Sequence, residues 1–518
     1  MSKNNKIIKD IVYGYVDLDE DMMKIIDTPH FQRLRRIKQL TSSSVYPNAN
    51  HSRFEHSLGV LKIANEFMNN LENQLKKRLS ENKVSEEHAN KEITYLKNHM
   101  KYAALLHDIG HAPFSHLGEE FYSHKDISKN MQKLIQKMKV QLDYNYMDEK
   151  IGAKHERMSC ILILDKYYNI LNKIYPEIDY SFLFRIIIGN RYNQVKKWPE
   201  NIIISIVNSN SIDADKLDYL LRDNYMVGNV GTYIDFRRLM RSLVIDDNNQ
   251  ITFAVNGISA VQDVIDCRDS LYLYVYNHHT SVYIDFLTYT LIEHCSKIGK
   301  ISEQYAKKNK KRKYLYKFNK ESLYINKLFT TKAQLNGIID DSLIINHFNK
   351  IFSLKKKSRY SKSILEQLYE MRHLKASWKS IFEFEEYLNS LGDTLKKKML
   401  KIISQSDLNR RKIVKKLQEK LDLEPGEVFI IARENKMYFM KDDNEFPIFF
   451  SKENKDRMID KLLPQKDAKK ITKIAFYIYA KNEEVIKKIL EELPKIIRED
   501  NFNTKIKGKV DSKKIGSV

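Results

Sequence analysis

Cysteine, proline and glycine are all scarce in this 518-residue sequence, and each shortage narrows the class of protein. The three cysteines, Cys160, Cys267 and Cys295, are too few and too scattered for a disulfide framework or a cysteine-based zinc site. A reducing compartment is therefore expected, and the cytoplasm is the predicted location. The 9 prolines and 15 glycines leave few breaks for helices, which favours a mainly α fold.

Long apolar runs are also absent. No window reaches the roughly eighteen apolar residues that a membrane-spanning helix needs, and residues 1–20 lack the uninterrupted apolar core of a signal peptide. The sequence therefore predicts neither a signal peptide nor a membrane span, and no membrane partner is expected.

Negative charge is the third deficit, because 67 Asp and Glu stand against 89 Lys and Arg for a net charge of +22. This balance favours an anionic partner such as a nucleotide, a nucleic acid or a phosphate-bearing lipid. An AT-rich coding sequence would give the same excess of lysine, so the charge alone identifies no partner. A basic surface interleaved with aromatic residues is not evident, so a nucleic acid is left open as a partner without being required.

Periodicity divides the chain into four parts. Apolar residues recur at helical spacing up to about residue 300, although the polar, lysine-rich stretch 121–150 is predicted to be a surface excursion. Later segments such as EVFIIA, KMYFM, FPIFF and KITKIAFYIYA are typical of strands. We predict a helical domain at 1–300, a lysine-rich helical extension at 301–426, a small α+β lobe at 427–495 and a flexible tail at 496–518.

Two histidines and two aspartates occupy positions that packing does not explain. His56 lies on the apolar stripe of a predicted helix, and His107 and Asp108 end the apolar run of another. A buried carboxylate without a partner costs several kcal/mol, and a bound cation removes that cost. The same reasoning applies to Asp215. Mixed imidazole and carboxylate ligands suit Mn, Fe, Zn, Co or Ni, and also Mg where further oxygen ligands join.

Four motifs occur in the order found in HD-domain phosphohydrolases. They are HSRFEHSLG at 51–59, LLHDIGHAPFSH at 105–116, KHE at 154–156 and IDADKLDYLLRD at 212–223. Their combination resembles the HD-domain deoxynucleoside triphosphate triphosphohydrolases, strongly over about 6–292 and more weakly over 427–480. The SAM module of vertebrate members has no counterpart here. The resemblance implies a mainly α fold, an HD-domain helical core with a smaller α+β C-terminal lobe.

The resemblance also implies roles around a divalent cation. The implied ligands are His56, His107, Asp108 and Asp215. His116 would protonate the leaving 5′ oxygen, and Glu119 would orient His116. His111 and His155 would contact the α-phosphate or a second cation. For His155 the alternative is a surface residue beside a lysine-rich loop.

A further set of residues matches the family's substrate pocket. These residues are Arg53, Gln39, Leu40, Lys216, Tyr219, Asp223, Arg268, Tyr272 and Tyr276. Arg53, Lys216 and Arg268 would hold the triphosphate, whose charge exceeds that of one metal ion. Gln39 would bond the 3′ hydroxyl, while Leu40 and Tyr276 would crowd a 2′ hydroxyl, which implies a preference for deoxyribose. An aromatic stripe packed in a core is the structural alternative for the tyrosines.

The segment 25–40 carries a candidate regulatory site. Asp27, Gln32 and Arg35 match residues with which the family recognises a guanine base, so GTP or dGTP is the implied effector. A capped helix at this position is the alternative. The family's other effector contacts, including basic residues on a hairpin, match less well. Because such sites lie between subunits in the family, a homo-oligomer, either a dimer or a tetramer, is expected.

The predicted metal ligands, called the metal cluster below, leave other functions open when taken alone. HD sites also cleave phosphomonoesters, cyclic dinucleotides and nucleic acids, so a nucleotidase, a phosphodiesterase or a nuclease is the first alternative. A catalytically silent scaffold that binds nucleotide or nucleic acid is the second. The full set of ligands and motif histidines favours a hydrolase, and the pocket residues favour a deoxynucleoside triphosphate (dNTP) as its substrate.

Overall fold

The computed structural model describes residues 6–229, 231–308, 328–352, 359–434, 447–450, 455–458, 474–499 and 502. Helices dominate these residues, which confirms the predicted mainly α fold. The helices are α1 (Glu20–Ile26), α2 (Pro29–Gln32), α3 (Arg53–Glu81), α4 (Glu86–Leu106), α5 (His116–Glu119), α6 (His124–Met138), α7 (Lys154–Leu162), α8 (Tyr168–Ile174), α9 (Tyr180–Ile188), α10 (Trp198–Val207), α11 (Ala214–Val227), α12 (Phe236–Arg241), α13 (Ile258–Leu271), α14 (His279–Lys308), α15 (Thr331–Asn336), α16 (Asp341–Phe352), α17 (Arg359–Tyr369), α18 (Ile381–Ser390), α19 (Asp393–Gln405), α20 (Asp407–Leu421) and α21 (Glu483–Glu499). No described helix combines the length and apolar composition that crossing a membrane requires.

Helices α3 and α4 form the centre of the core. A capping box starts α3, in which the Ser52 backbone N–H donates to Glu55 Oε2 at 2.9 Å. One face of α3 is buried along its length, and α4, α10 and α11 pack against this helix. Each large apolar side chain on this face contributes roughly 1.5–3 kcal/mol when fully buried. His56 lies on this same face, so core packing fixes its position.

Three small sheets accompany the helices in the described part of the chain. Their strands are β1 (Lys6–Asp10), β2 (Gly14–Leu18), β3 (Leu243–Ile245), β4 (Ile251–Ala254), β5 (Lys375–Ala376), β6 (Val428–Glu434), β7 (Pro447–Phe450), β8 (Lys455–Met458) and β9 (Ile474–Ala480). β1 and β2 form an antiparallel hairpin, and β5, β9 and β6 form an antiparallel sheet. In the third sheet β4 pairs antiparallel with β3 and parallel with β7, which pairs with β8. Two sheets therefore join strands from both sides of residue 427.

Two parts of the chain differ from expectation. The stretch 121–150, predicted to be a surface excursion, contains α6, whose Ile127, Met131 and Leu134 are buried. Most of the stretch does lie at the surface, and the sequence analysis did not predict this helix, in which apolar residues at helical spacing anchor a lysine-rich segment. Helix α21 continues to Glu499, beyond the limit of 495 expected for the lobe. The expected strand KMYFM and most of the expected tail lie outside the described residues.

Candidate active site

The four predicted metal ligands come from three helices that meet at one point. His56 lies in the first turn of α3, and His107 and Asp108 directly follow α4. Asp215 lies in the first turn of α11, whose start is capped by the Asp213 side chain. Each helix begins or ends at the site, so the polar residues do not interrupt the apolar faces that hold the helices together.

The nitrogen and oxygen atoms of these residues face one another. His56 Nε2 is 3.0 Å from Asp215 Oδ1 and 3.5 Å from Asp108 Oδ2. His107 Nε2 is 3.3 Å from Asp108 Oδ1 and 3.9 Å from Asp215 Oδ1. The structure thus brings together the four residues that the sequence indicates as ligands.

The hydrogen bonds of the two histidines leave this arrangement suited to a cation. His56 Nδ1 bonds to Asp218 Oδ2 at 2.7 Å and His107 Nδ1 bonds to the Ala104 carbonyl at 2.8 Å, so both Nδ1 atoms carry protons. Both Nε2 atoms are buried and lack a hydrogen-bond partner among the described residues. Two nitrogen lone pairs facing two carboxylates form a donor set that fits a divalent cation such as Mn, Fe, Zn, Co or Ni.

The charges of the cluster attract either a proton or a cation. Burial would lower the pKa of His56, but Asp215 and Asp218 outweigh burial and raise this pKa to about 10. Burial would raise the pKa of Asp215 and of Asp108, yet His56 holds the former and Arg53 the latter well below the usual range. His56, His107, Asp108 and Asp215 would hold a divalent cation, and its positive charge would replace that of the additional proton on His56.

A second cluster is built around the Glu119 carboxylate. Glu119 Oε1 is 2.9 Å from His111 Nδ1 and 3.0 Å from His116 Nδ1. Glu119 Oε2 is 2.8 Å from His155 Nδ1, and the His111 and His155 rings stack with their centroids 4.0 Å apart. The His155 side chain is only 12% exposed, so the structure places it in this cluster and not on the surface beside the lysine-rich loop.

Asp108 joins the two clusters, because its Oδ1 atom lies 3.1 Å from His111 Nε2. Burial would raise the pKa of Glu119, but the three imidazoles hold it well below its usual value. Glu119 raises the pKa of His155 to about 9 against the effect of burial, whereas burial lowers the pKa of His111 to about 3. Near pH 7 the cluster therefore holds an ionised Glu119, a positive His155 and a neutral His111. The His116 side chain is 71% exposed and reaches solvent.

Two of the predicted phosphate-binding cations bond to protein groups. The buried Arg53 donates from Nη1 to Asp108 Oδ2 at 2.7 Å and from Nε to Ser115 Oγ at 3.0 Å. The Lys216 ammonium donates to a backbone carbonyl at 2.6 Å and to Asp213 Oδ2 at 2.5 Å, at the start of its own helix. Both cations lie next to metal-cluster residues, and each already has a carboxylate partner.

The third predicted cation, Arg268, lies on an edge of aromatic rings. Its guanidinium is 4.8 Å from the centre of the Tyr272 ring, and the Tyr272 and Tyr276 rings meet edge to face at 5.0 Å. Its Nη1 atom is buried and makes no hydrogen bond in the described part of the chain, and the carboxylate oxygen Asp269 Oδ1 lies 3.9 Å from it. The chain runs here as a π-helix, Tyr272–Tyr276, a wide turn that is frequent at functional sites. Tyr219 is close by, and burial raises the pKa of its phenol well above the usual value.

Two of the residues predicted to contact the sugar, Gln39 and Tyr276, are connected through His51 and Asp223. The sequence motifs contain His51 but do not single it out. The Gln39 backbone N–H donates to the His51 carbonyl at 3.0 Å, and His51 Nε2 bonds to Asp223 Oδ1 at 2.7 Å. The Tyr276 hydroxyl donates to Asp223 Oδ2 at 2.5 Å. Gln39 Oε1 is buried without a hydrogen-bond partner among the described residues, and Leu40 is buried. The signal for His51 was its place at the start of HSRFEHSLG.

The predicted effector residues lie along one surface segment. Asp27 is exposed where α1 ends, and Arg35 is exposed with its guanidinium 3.4 Å from the centre of the Phe54 ring. Gln32 Nε2 donates to a carbonyl of α1, and Gln32 Oε1 accepts from Arg35 Nε, both at 2.9 Å. The Thr28 side chain caps α2, which is the local structure that the capped-helix alternative predicts. This cap leaves the side chains of Asp27 and Arg35 at the surface.

Arg33 ties the HD motif to the segment 328–352, a contact that the sequence did not indicate. Its guanidinium is buried and donates to the carbonyl of Ile109 at 3.0 Å, to that of Ile339 at 2.5 Å, and to that of His111. A buried guanidinium is tolerated when such acceptors surround it. The position of His111 therefore depends on a distant part of the chain.

Asp341 holds the loop that leads to His116. Its carboxylate accepts the backbone N–H of Phe114 at 2.7 Å and that of Lys38 at 3.0 Å. Phe114 and Ser115 have left-handed backbone conformations, with φ of 60° and 54°, which are costly for residues other than glycine. The Ser115 hydroxyl donates to the Lys38 carbonyl at 2.6 Å, so hydrogen bonds on both sides sustain the strained loop.

Comparison with known proteins finds one family match and two solved structures with a similar fold. Residues 53–163 match the family model "HD domain". A hypothetical protein from Aquifex aeolicus aligns with 94% of this chain and 100% of its own, with a TM-score of 0.57 and 22% identity. A phosphohydrolase from Bacteroides thetaiotaomicron aligns with 92% of this chain and 100% of its own, with a TM-score of 0.59 and 19% identity. These two structures share the fold. The chain therefore contains a segment that matches the HD domain family, within a fold that these two structures share, and His56, His107, Asp108, His111, His116, Glu119 and His155 all lie in that segment.

Curated relatives narrow the class. The deoxynucleoside triphosphate triphosphohydrolase SAMHD1 homolog of Dictyostelium discoideum is 32% identical over 313 residues, which are 58% of this chain and 52% of the relative. Human SAMHD1, with the same enzyme name, is 30% identical over 295 residues, 54% of this chain and 43% of its own length. The chain spans about half the length of the curated relatives it matches. These matches confirm the predicted resemblance to the HD-domain deoxynucleoside triphosphate triphosphohydrolases.

Proposed function

We propose that this protein is a metal-dependent triphosphohydrolase that cleaves dNTPs to a deoxynucleoside and tripolyphosphate. The observation that carries the proposal is the junction at Asp108, where a metal cluster adjoins three imidazoles around Glu119. The reaction needs both the metal cluster and the imidazoles. Water adds to the α-phosphorus, the bond from this phosphorus to the 5′ oxygen breaks, and a proton passes to that oxygen.

The residues of the two clusters have different roles in this reaction. A divalent cation, when bound at the metal cluster, supplies Lewis acidity toward a phosphoryl oxygen and a water molecule. His116 donates the proton to the 5′ oxygen, since Glu119 lies against its Nδ1 atom and leaves Nε2 on the other side of an exposed ring. The ionised Glu119 lies 3.0 Å from His116 Nδ1 and orients the ring. His155, positive and stacked on His111, offsets the charge of the α-phosphate.

The substrate lies along the aromatic edge beside the metal cluster. Arg268 contacts the triphosphate, because its Nη1 atom makes no hydrogen bond among the described residues and lies 3.9 Å from the Asp269 carboxylate, beyond hydrogen-bond distance. Arg53 and Lys216 add positive charge near the metal ligands, and Tyr219 and Tyr272 pack against the nucleoside. Guanidinium and ammonium groups together match the charge of a triphosphate better than one cation does.

The sugar is read at the Gln39 and Asp223 contacts. Gln39 Oε1 is a buried acceptor without a partner among the described residues, and a 3′ hydroxyl satisfies it. Leu40 and Tyr276 fill the space that a 2′ hydroxyl would occupy. The pocket therefore selects deoxyribose over ribose.

We also propose regulation of the enzyme by a guanine nucleotide. Asp27, Gln32 and Arg35 offer a carboxylate acceptor, an amide and a guanidinium along one exposed segment, which suits the edge of a guanine base. The effector is GTP or dGTP, and its site lies at a contact between subunits of a homo-oligomer, a dimer or a tetramer, in the cytoplasm.

A hydrolysis panel tests the proposed reaction. Purified protein is assayed against the four dNTPs and four NTPs with Mg, Mn, Fe or Co, with and without GTP, and nucleoside and tripolyphosphate are quantified. We expect tripolyphosphate to appear in equal amount with deoxynucleoside, and Asp108→Ala to abolish the release. The matched control is Asp247→Ala, which removes an exposed carboxylate and keeps the activity.

Three outcomes of this panel contradict the proposal. Stepwise release of single phosphates contradicts the choice of bond, and equal hydrolysis of ATP and dATP contradicts the sugar preference. Release of mononucleotides from single-stranded DNA or RNA, in the absence of dNTP hydrolysis, favours the nuclease alternative.

A further inference from the structure

The hairpin of β1 and β2 reaches the metal cluster through one side chain. Tyr13 lies in the turn between these strands, and its hydroxyl donates to Asp218 Oδ1 at 2.7 Å. The other oxygen of this carboxylate, Oδ2, is 2.7 Å from Nδ1 of the metal ligand His56. A tyrosine near the start of the described chain is thus two hydrogen bonds away from the Nε2 atom that faces the cation.

The Asp218 carboxylate is fully buried and receives donors on both oxygens. Arg222 Nε donates to Oδ2 and Arg222 Nη2 donates to Oδ1, each at 3.0 Å. The remaining guanidinium nitrogen, Nη1, donates to Asp10 at 2.8 Å. Asp10 in turn accepts the backbone N–H of Tyr13 at 3.0 Å. The turn of the hairpin is therefore bonded to α11 through two independent contacts.

The space around Asp218 leaves no room for a different arrangement. A Cβ atom on Gly59 of α3 would lie 1.8 Å from Asp218 Oδ1 and 2.5 Å from Arg222 Nη2, so glycine alone admits the carboxylate here. A carboxylate bonded to Nδ1 orients the ring and strengthens Nε2 as a metal ligand.

We propose that Tyr13 is a positioning residue for the metal ligand His56. Its hydroxyl fixes Asp218 in the orientation that holds the His56 ring. The hairpin 6–18 therefore contributes to the metal site and affects the affinity of this site for the cation. This role concerns cation binding alone and goes beyond the proposed reaction, whatever nucleotide the enzyme accepts.

The test measures binding of Co²⁺ to the metal-free full-length protein by competition with a chromophoric chelator, and records the visible absorption of bound Co²⁺. Tyr13→Phe, which removes only the hydroxyl, is expected to raise the Kd about tenfold, the lower limit for an outer partner of a ligand, and to shift the absorption bands. Asp218→Asn is expected to raise the Kd further. Tyr15→Phe on the same hairpin, at a residue 58% exposed, is the matched control and leaves the Kd unchanged.

Two results overturn the inference. One is an identical Kd for the Tyr13→Phe and wild-type proteins. The other is full additivity, in which Tyr13→Phe weakens binding by the same factor in the Asp218→Asn background, since a residue that acts through Asp218 has no such effect once the carboxylate is gone. Because the readout is a metal dissociation constant, a protein that binds Co²⁺ as expected but hydrolyses no dNTP refutes the proposed function and supports this role of Tyr13.

Discussion

Two carboxylates in this protein, those of Asp108 and Glu119, each lie close to several nitrogen donors. Asp108 faces Arg53, His107 and His111, and Glu119 faces three imidazoles. A buried carboxylate is costly unless such partners surround it. Removing one donor leaves the remaining donors paired, whereas removing the carboxylate leaves several buried imidazoles without an acceptor. The carboxylates are therefore the residues at which substitution should have the largest effects.

Glu119→Gln is expected to lower kcat for dNTP hydrolysis about 100-fold, because the amide replaces the carboxylate that orients the proton donor His116. It should also change the pH profile. Glu119 keeps His155 protonated until the pH approaches about 9, so without the carboxylate His155 loses its proton at a lower pH. The alkaline limb of kcat, measured from pH 6 to 10, then moves to lower pH. Glu149→Gln, at an exposed position, is the control, and an unmoved limb in Glu119→Gln would contradict this role.

At the scale of secondary-structure elements, the loop that carries the proposed proton donor depends on contacts from outside the HD motif. The loop between α4 and α5 has two residues with left-handed backbones, Phe114 and Ser115. Such conformations cost roughly 1–3 kcal/mol each and persist only where surrounding bonds impose them. Asp341, at the start of α16, provides one of these bonds through the Phe114 N–H. The exposed position of His116 therefore depends on a helix in a different part of the chain.

Asp341→Asn tests this contact through its pH dependence. Burial, opposed by two backbone N–H donors and Arg33 and aided by Asp340, raises the pKa of Asp341 to about 6 from 3.8. The folded state thus keeps a proton that the unfolded state releases. The stability from this group is fully present below about pH 4 and is lost as the pH rises through about 6, and amounts to on the order of 3 kcal/mol.

Urea unfolding of wild type and Asp341→Asn at several pH values from 4 to 7 measures this effect. The wild-type free energy of unfolding should fall relative to that of the variant over this range, because asparagine does not titrate. Glu385→Gln, outside the catalytic loop, serves as the matched control. A difference between wild type and Asp341→Asn that stays constant with pH would exclude the assignment.

At the scale of the whole molecule, strands from distant segments share sheets. β7 pairs in parallel with β4, with Ile448 opposite Phe253, and β5 pairs with β9. The helical body and the C-terminal segments are therefore joined by backbone hydrogen bonds as well as by side chains. A change in one segment is expected to reach the other through these sheets.

Assembly is the property that tests the proposed effector site at this scale. Addition of GTP or dGTP should raise the sedimentation coefficient toward that of a dimer or tetramer and should raise the rate of dNTP hydrolysis. Arg35→Ala should abolish both effects, because it removes the guanidinium proposed to bind the guanine, whereas Lys24→Ala, at an exposed residue on the neighbouring helix, should retain both. Unchanged mass and rate with the wild-type protein would contradict the proposed regulation.

The sequence indicated the parts of the site that lie on regular helices. His56 and Asp215 were visible because a polar residue on or beside an apolar helical face is an exception to a local pattern. Family motifs added the residues that no periodicity reveals, such as Glu119. The helical nature of the fold followed from the scarcity of helix breakers, although α6 was missed because its lysines outnumber its three buried apolar anchors.

Contacts between segments far apart in sequence were not predictable from local patterns. The bond from Tyr13 to Asp218 and that from His51 to Asp223 each join residues separated by more than a hundred and fifty positions, and a hydrogen bond leaves no periodic trace at either residue. The ion pair of Arg53 was also not predictable, because its partner, the predicted ligand Asp108, is identified only by the folded structure.

The buried guanidinium of Arg33 has a consequence for transplanting this chemistry. A graft of the family-matched stretch 53–163 into a foreign scaffold would carry three of the four predicted ligands, but neither Arg33 nor the carbonyl of Ile339 to which Arg33 donates. The carbonyls of Ile109 and His111 would then face whatever the host supplied. The candidate site is therefore built from distant segments of the chain. Transfer of the site to another protein would require the segment 328–352 together with the motif.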